Sequence, residues 1–362
     1  MLLGEQNLKD GLKLLLNTIS KDKNALIIVD CDCDGYTSAA LLINYLYRIF
    51  PTWTNNHLNW IMHSGKQHGL SDCMNKISNY YSLIICPDSS SNDYEYHYEL
   101  FKKGIGVLVL DHHLADHISE YAVIINNQLS DYPNKELSGV GVVWQFCKYI
   151  DNILNVNYAN DFLDLVALGN CGDMMSLRSF ETRYLITKGF KKDNIHNPFI
   201  DYMLDKNAFP LSKADYIPSD SSMSCTSIGA AFFIVPFVNA ITRSGTLDEK
   251  NLLFNSMLNH KAFEEVLSNK RGHKLGEKEK LILQAIRTVT NVKNRQTRAE
   301  DAGLAMLEKM IETNHMLDHK ILLFLLEPGQ IDSEIRGLIA NKFMAKYQRP
   351  CCLLTRTNRN EE

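Results

Sequence analysis

No uninterrupted apolar run in the 362 residues approaches the roughly 20 that a membrane-spanning helix takes. Cys-x-x-Cys pairs are also missing. The nine cysteines are scattered, with Cys31 and Cys33 alternating with aspartates and Cys351 adjoining Cys352. That pattern excludes a zinc framework and a disulfide scaffold of the secreted kind, and a reduced cytoplasmic compartment is expected. Positive charge is not in excess. Lys and Arg number 38 against 42 Asp and Glu, so no global field draws in a polyanion, although a local basic groove remains compatible with the balance. A G-x-S-x-G elbow and a P-loop are both lacking, which removes two common routes to hydrolysis and phosphate binding. The opening residues, MLLGEQNLKDGLKLLL, break their apolar runs with charge and read as an amphipathic helix, not a signal peptide.

What is present is an alternation. The length suits two or three compact domains. ALIIVD, HLNWIMH, YSLIICPD, IGVLVLDHH and YAVIINN are short apolar runs that end in polar residues. Between them, TSAALLINYLYRIF has helical spacing with Thr37 or Ser38 as N-cap, and ELFKKG closes a short helix at a glycine. Strands alternating with helices predict an α/β fold around a mostly parallel sheet covered on both faces. In such sheets, sites form beyond the carboxyl ends of the strands. That rule gathers Asp30, Asp32 and Asp34, then Asp88, then Asp111, His112 and His113. NYANDFLDLVALGNCGDMMSL is helical in spacing up to Gly169, and it brings Asp173 in a turn.

Carboxylates this close repel one another and are costly to bury unpaired. Hard divalent cations take oxygen ligands, and Mn²⁺ also accepts imidazole. A two-ion site clamps both reacting oxygens of a phosphoryl transfer, which is chemistry that clustered aspartates suit. A single aspartate after a strand is commonly no more than a helix cap or loop residue, and a lone pair of histidines is commonly structural. The Asp-x-Asp-x-Asp-Gly run also departs from a calcium loop, since YTSAALL follows it without the later oxygen ligands or closing Glu. Around Asp32, a period of two would turn Cys31 and Cys33 the other way, toward the core.

The ordered set VDCDCDG, CPDSSSND, LDHH and ALGNCGDMM, with SGVGVVWQF before the last, resembles the motifs of the DHH phosphoesterases, and within them the RecJ-like nucleases specific for single strands. FFIVPFVNAITRSG is similar to a RecJ segment, with Pro236, Asn239, Ala240 and Arg243 in place. The resemblance covers roughly residues 24–245 strongly and is fainter from Leu322 to Arg356. It implies two divalent ions, Mn²⁺ in preference or Mg²⁺, in a cleft between two domains. It implies Asp32, Asp34, Asp88, His112 and Asp173 as ligands, with Asp30 joining one ion and Asp88 bridging. It also implies His113 and Arg243 on substrate phosphate, with Asp111 orienting an imidazole behind the ligands. The function expected is metal-dependent phosphodiester hydrolysis, exonucleolytic on single-stranded DNA, in DNA repair or recombination with a replication or repair protein as partner.

The domain organisation expected is a DHH catalytic domain over 1–190, a linker and helical connector over 191–315, and a partial DHHA1-like α/β domain over 316–362. KNAFPLSKADYIPSDSSMSCTSIG reads as a turn-rich linker. Lys293, Arg295 and Arg298 on the long helical stretch that follows are candidates for a nucleic-acid groove, although a charge cluster on a helix is more often a solvated face. The Gly-Gly-His segment of a complete DHHA1-like domain is not found, and RGHKLG at Arg271 lies too early to replace it. That domain is therefore expected to be truncated. Rival functions are hydrolysis of oligonucleotides or cyclic dinucleotides, pyrophosphatase action, and a non-catalytic role in nucleic-acid binding.

Overall fold

The computed structural model describes residues 3–356 other than positions 64, 66, 217–221 and 275. The chain divides into two compact units, Met1–Val289 and Thr290–Glu362. The strands of the first are β1 (Asn24–Val29), β2 (Leu58–Met62), β3 (Tyr81–Pro87), β4 (Gly106–Asp111), β5 (Val123–Asn126), β6 (Glu265–Leu267) and β7 (Lys278–Lys280). Its helices are α1 (Glu5–Ser20), α2 (Cys33–Ile49), α3 (Pro51–His57), α4 (Tyr94–Lys102), α5 (Gly139–Leu154), α6 (Leu163–Gly172) and α7 (Phe180–Gly189). They continue with α8 (Pro198–Lys206), α9 (Ala208–Lys213), α10 (Ser227–Phe233), α11 (Val235–Ser244) and α12 (Leu247–Met257).

Strands β1 to β5 form one parallel sheet in the order β2-β1-β3-β4-β5, with Ile27 level with Trp60 on one side and Ile85 on the other. Consecutive apolar residues make these strands because both faces are covered. Leu26, Ile28, Ile84, Cys86, Val107 and Val109 pack with Leu100 of α4 on one face. On the other, Gly11 of α1 fits closely against Leu108, Ile125 and Phe146, at 3.0–3.4 Å from where a Cβ would lie. The strand order reverses between β1 and β3. That is the point where a doubly wound sheet opens a crevice at its carboxyl end.

Several local expectations shift. The N-cap of α2 is Asp32, whose side chain accepts from Gly35 N at 3.0 Å, and not Thr37 or Ser38. Thr37 instead sits inside the helix and donates back to Cys33 O and Asp34 O. Early helix entry also ends the two-residue period. Cys31 and Cys33 are buried as expected, but so are Asp30 and Asp34. Gly35 lies within the first turn of α2. A side chain there would meet the Asp30 backbone at 2.8 Å, so the close approach demands glycine. Helix α6 runs to Gly172, past Gly169. The expected linker contains α9, and its positions 217–221 lie outside the described residues. Among the described residues one window, Ser227–Ser244, is apolar enough by length and composition to pass as a membrane span, contrary to the sequence reading. It is 44% buried and is divided at Ile234 into α10 and α11.

Helix α13 (Leu281–Thr313) begins in the first unit. In the second unit, β8 (Leu322–Leu326) and β9 (Cys351–Thr355) pair in parallel, with α14 (Ser333–Tyr347) between them in sequence. Leu307, Ile311, Leu322, Phe324, Leu326, Ile339 and Phe343 form its core. The alternate residues Leu323 and Leu325 point outward. Positions 357–362 of the expected last domain lie outside the described residues.

Candidate metal centre

Each strand end beside the crevice delivers a polar side chain. Asp30 follows β1, His63 and His68 follow β2, Asp88 follows β3, and Asp111 closes β4 ahead of His112 and His113. Asp173 caps the C-terminus of α6. Among the groups of potential ligands that the described residues form, two consist of expected ligands, Asp30 with Asp32 and Asp88, and Asp34 with His112 and Asp173; within each, the ligand atoms lie within 4.8 Å of one another. Asp88 joins them. Its Oδ1 is 3.3 Å from His112 Nε2, which is itself 3.5 Å from Asp173 Oδ2 and 3.9 Å from Asp34 Oδ2. The structure thus brings Asp30, Asp32, Asp34, Asp88, His112, His113 and Asp173 to one place.

Local structure fixes these groups. Asp34 is held at the N-terminus of α5, accepting from Ser138 Oγ at 3.0 Å, Gly139 N at 2.6 Å and Val140 N at 3.2 Å. Helix N-termini favour an anionic partner. Asp88 sits in the left-handed region at φ 66°, and its N–H donates to Leu110 O at 2.8 Å. Asp111 accepts from the backbone N–H groups of Ser91, His112 and His113 and from His113 Nδ1 at 2.7 Å. Burial alone would raise Asp111, but these bonds, with the His113 imidazole foremost, take it well below the usual carboxylate range. In return the hydrogen bond to Asp111 pushes His113 up to about 9. His113 remains half exposed beside a cleft that also holds His68, Ser90 and Asn92.

The other carboxylates move the opposite way. Burial, then the neighbouring negative charges, raises Asp34 and Asp88, and burial with Asp32 raises Asp173 to about 6. Burial pushes His112 down to about 4, which leaves a neutral imidazole with a free lone pair. Asp88 Oδ1 and His112 Nε2 are buried and have no hydrogen-bond partner. Unpaired acceptors facing each other amid raised carboxylates are the donor set for a hard cation. The residues present fit divalent metal.

Two histidines escaped the sequence reading. His68 Nδ1 bonds Asp30 Oδ2 at 2.7 Å, and buried His63 bonds Asp72 at 2.7 Å while its Nε2 faces Asp30 Oδ1 at 3.9 Å. HLNWIMH already ends in His63, so the strand-end rule applied to β2 would have found that one. Asn239 was recognised only within its motif. Its Oδ1 accepts from Cys33 N at 3.2 Å and ties α11 to the start of α2. Arg243 lies one turn further along α11 and is half-buried. Lys293, Arg295 and Arg298 do not share a face. Arg295 and Arg298, three apart, are exposed together, whereas Lys293 is half-buried and donates to Gln296 at 3.2 Å.

Sheet and cluster together define an α/β protein with a carboxylate–imidazole centre at the sheet's switch point. Residues 24–170 match the DHH family, N-terminal domain. It is 34% identical over 348 residues to a Bacillus subtilis (strain 168) protein named as an SPbeta prophage-derived single-strand DNA-specific exonuclease, YorK, covering 96% of this chain and 57% of that one. It is 28% identical over 182 residues to the single-stranded-DNA-specific exonuclease RecJ of Haemophilus influenzae, covering 47% of this chain and 32% of that one. The chain therefore spans little more than half the length of the first relative and about a third of the second. Among solved structures, an exonuclease RecJ bound to manganese matches with a TM-score of 0.73 at 18% identity, over 96% of this chain and 80% of the other. RecJ from Thermus thermophilus in complex with Mn²⁺ matches with 0.74 at 18% identity, over 98% and 47%. These likenesses establish the fold.

Proposed function

We propose that the cluster is the catalytic centre of a metal-dependent phosphodiesterase that removes nucleotides from an end of single-stranded DNA. The observation that carries this reading is the pair of unpartnered, buried acceptors, Asp88 Oδ1 and His112 Nε2, at the meeting point of two ligand groups. The names of the relatives, single-strand DNA-specific exonucleases, support the substrate. Two ions suit the two groups, with Asp30, Asp32 and Asp88 around one, Asp34, His112 and Asp173 around the other, and Asp88 shared. Divalent ions, when bound, supply Lewis acidity toward phosphate oxygens and water. His113, anchored by Asp111, presents its outer nitrogen to the cleft, where a cationic imidazole offsets phosphate charge. Arg243 offers a guanidinium fork to a neighbouring phosphate.

The test is product length against time on 5′- and 3′-labelled single strands with Mn²⁺ or Mg²⁺, beside a duplex control. Stepwise shortening of the single strand only, abolished in Asp88→Asn, is expected. Equal cutting of duplex, or no cutting with either metal, refutes the reading. Asparagine is the right replacement because it tolerates the positive φ at position 88.

A further inference from the structure

Beside Asp173 the surface opens into an apolar cleft of about 220 Å³, lined among others by Cys171, Met174, Leu177, Ser227, Ile228 and Phe232. It lies within the first unit, between the end of α6 and the face of α10. Met174 directly follows Asp173, whose carboxylate stands 3.5 Å from His112 Nε2. Its backbone is in the left-handed region at φ 52°, an unusual conformation for a residue with a long side chain. Its side chain is 82% exposed, and Phe232 across the cleft is 68% exposed. Ile228 lies one helical turn before Phe232 on α10. Bare thioether, aliphatic and phenyl groups beside a charged cluster are costly in water and need an occupant. The cleft is smaller than the roughly 300–1,000 Å³ of a pocket for a whole small-molecule ligand, and so suits one ring system.

We propose that this cleft is a nucleobase subsite, in which Phe232 and Met174 hold the base attached to the nucleotide whose phosphate lies at the cluster. The inference rests on the phosphodiesterase reading of that cluster. A phosphate bound there leaves its base one sugar away, and the cleft begins at the residue next to Asp173. The lining offers little to read a base by. The Asn170 amide is taken up by Val166 O at 2.8 Å and Ser138 N at 3.3 Å, leaving the Ser227 hydroxyl as the other polar side chain among those lining it. Stacking without hydrogen-bond readout makes the subsite tolerant of sequence.

The test is binding of strands with 2-aminopurine at successive positions from each end, with Mn²⁺ present and the linkages made as non-hydrolysable phosphate analogues so that nothing is cut. Fluorescence quenching at one position is expected. Phe232→Ala should abolish the quenching and weaken binding roughly tenfold, the scale of losing one base–aromatic stack. A strand abasic at that position should bind wild type and Phe232→Ala equally. Met174→Ala should act in the same direction. Absence of quenching at every position, or an equal loss of affinity by Phe232→Ala for intact and abasic strands, overturns the proposal. Quenching by a wild type that cuts no unmodified strand with added metal would leave the subsite standing and remove the phosphodiesterase reading.

Discussion

Asp88 carries the densest set of constraints on any one residue. It is buried, sits at φ 66°, has an unpartnered oxygen, and touches both ligand groups. Without a cation the cluster works against folding. The folded pKa values of Asp34, Asp88 and Asp173 are raised above 3.8, so the folded state holds protons that the unfolded chain would release. Their favourable contribution is complete below 3.8 and is lost as pH rises through about 6 for Asp173. Bound metal inverts this, because it favours the ionised carboxylates. Thermal melts should therefore show a midpoint increase on adding Mn²⁺ that is larger at pH 8 than at pH 5.5. Asp88→Asn should raise the metal-free midpoint at pH 8, by roughly 2–4 °C for each kcal/mol of repulsion removed. An increase on adding Mn²⁺ that does not change with pH would contradict this account of the carboxylates.

Among elements, the start of α5 matters most to the site. Its first N–H groups grip Asp34, and Gly139 lets Asp88 lie against it. A side chain on Gly139 would come within 2.2 Å of Asp88 Oδ1. Gly139→Ala should cost about 1–3 kcal/mol through overpacking, despite alanine's better helix propensity, and should weaken Mn²⁺ binding at least tenfold. Gly337→Ala on α14, where nothing lies within 4 Å, should leave Mn²⁺ binding unchanged and stabilise its helix by up to about 1 kcal/mol. Calorimetric Mn²⁺ titration and denaturant melts check both, and similar effects from the two changes would refute the argument. The elements themselves were largely legible, because runs such as ALIIVD and IGVLVLD bury both faces of a strand. The start of α2 was not. Asp32 and Thr37 are both good caps, and only the Asp30 approach to Gly35 decides between them. His68 was not legible either, since it lies in the loop after β2 and its value depends on the tertiary contact with Asp30.

For the whole molecule, one topological fact places the chemistry. The order β2-β1-β3-β4-β5 sets the ends of β1 and β3 side by side where the direction of winding reverses, and Asp30 and Asp88 follow those two strands. Polar residues after apolar runs are visible in sequence, so the clustering could be expected. That Asp88 stands between the two ligand groups was expected only through the resemblance to the DHH phosphoesterases, because residue spacing does not show distances of roughly 3–4 Å between segments far apart in the chain. How Lys293, Arg295 and Arg298 are spread around α13 was not legible from their closeness in sequence, because the helix turns about 100° per residue. The most direct test of the central claim is anomalous diffraction at the manganese edge from crystals grown with Mn²⁺. Two peaks should flank Asp88, one among Asp30 and Asp32 and the other among Asp34, His112 and Asp173. Ordered manganese elsewhere with none at Asp88, or a single ion that leaves either group without a contact, would contradict the account.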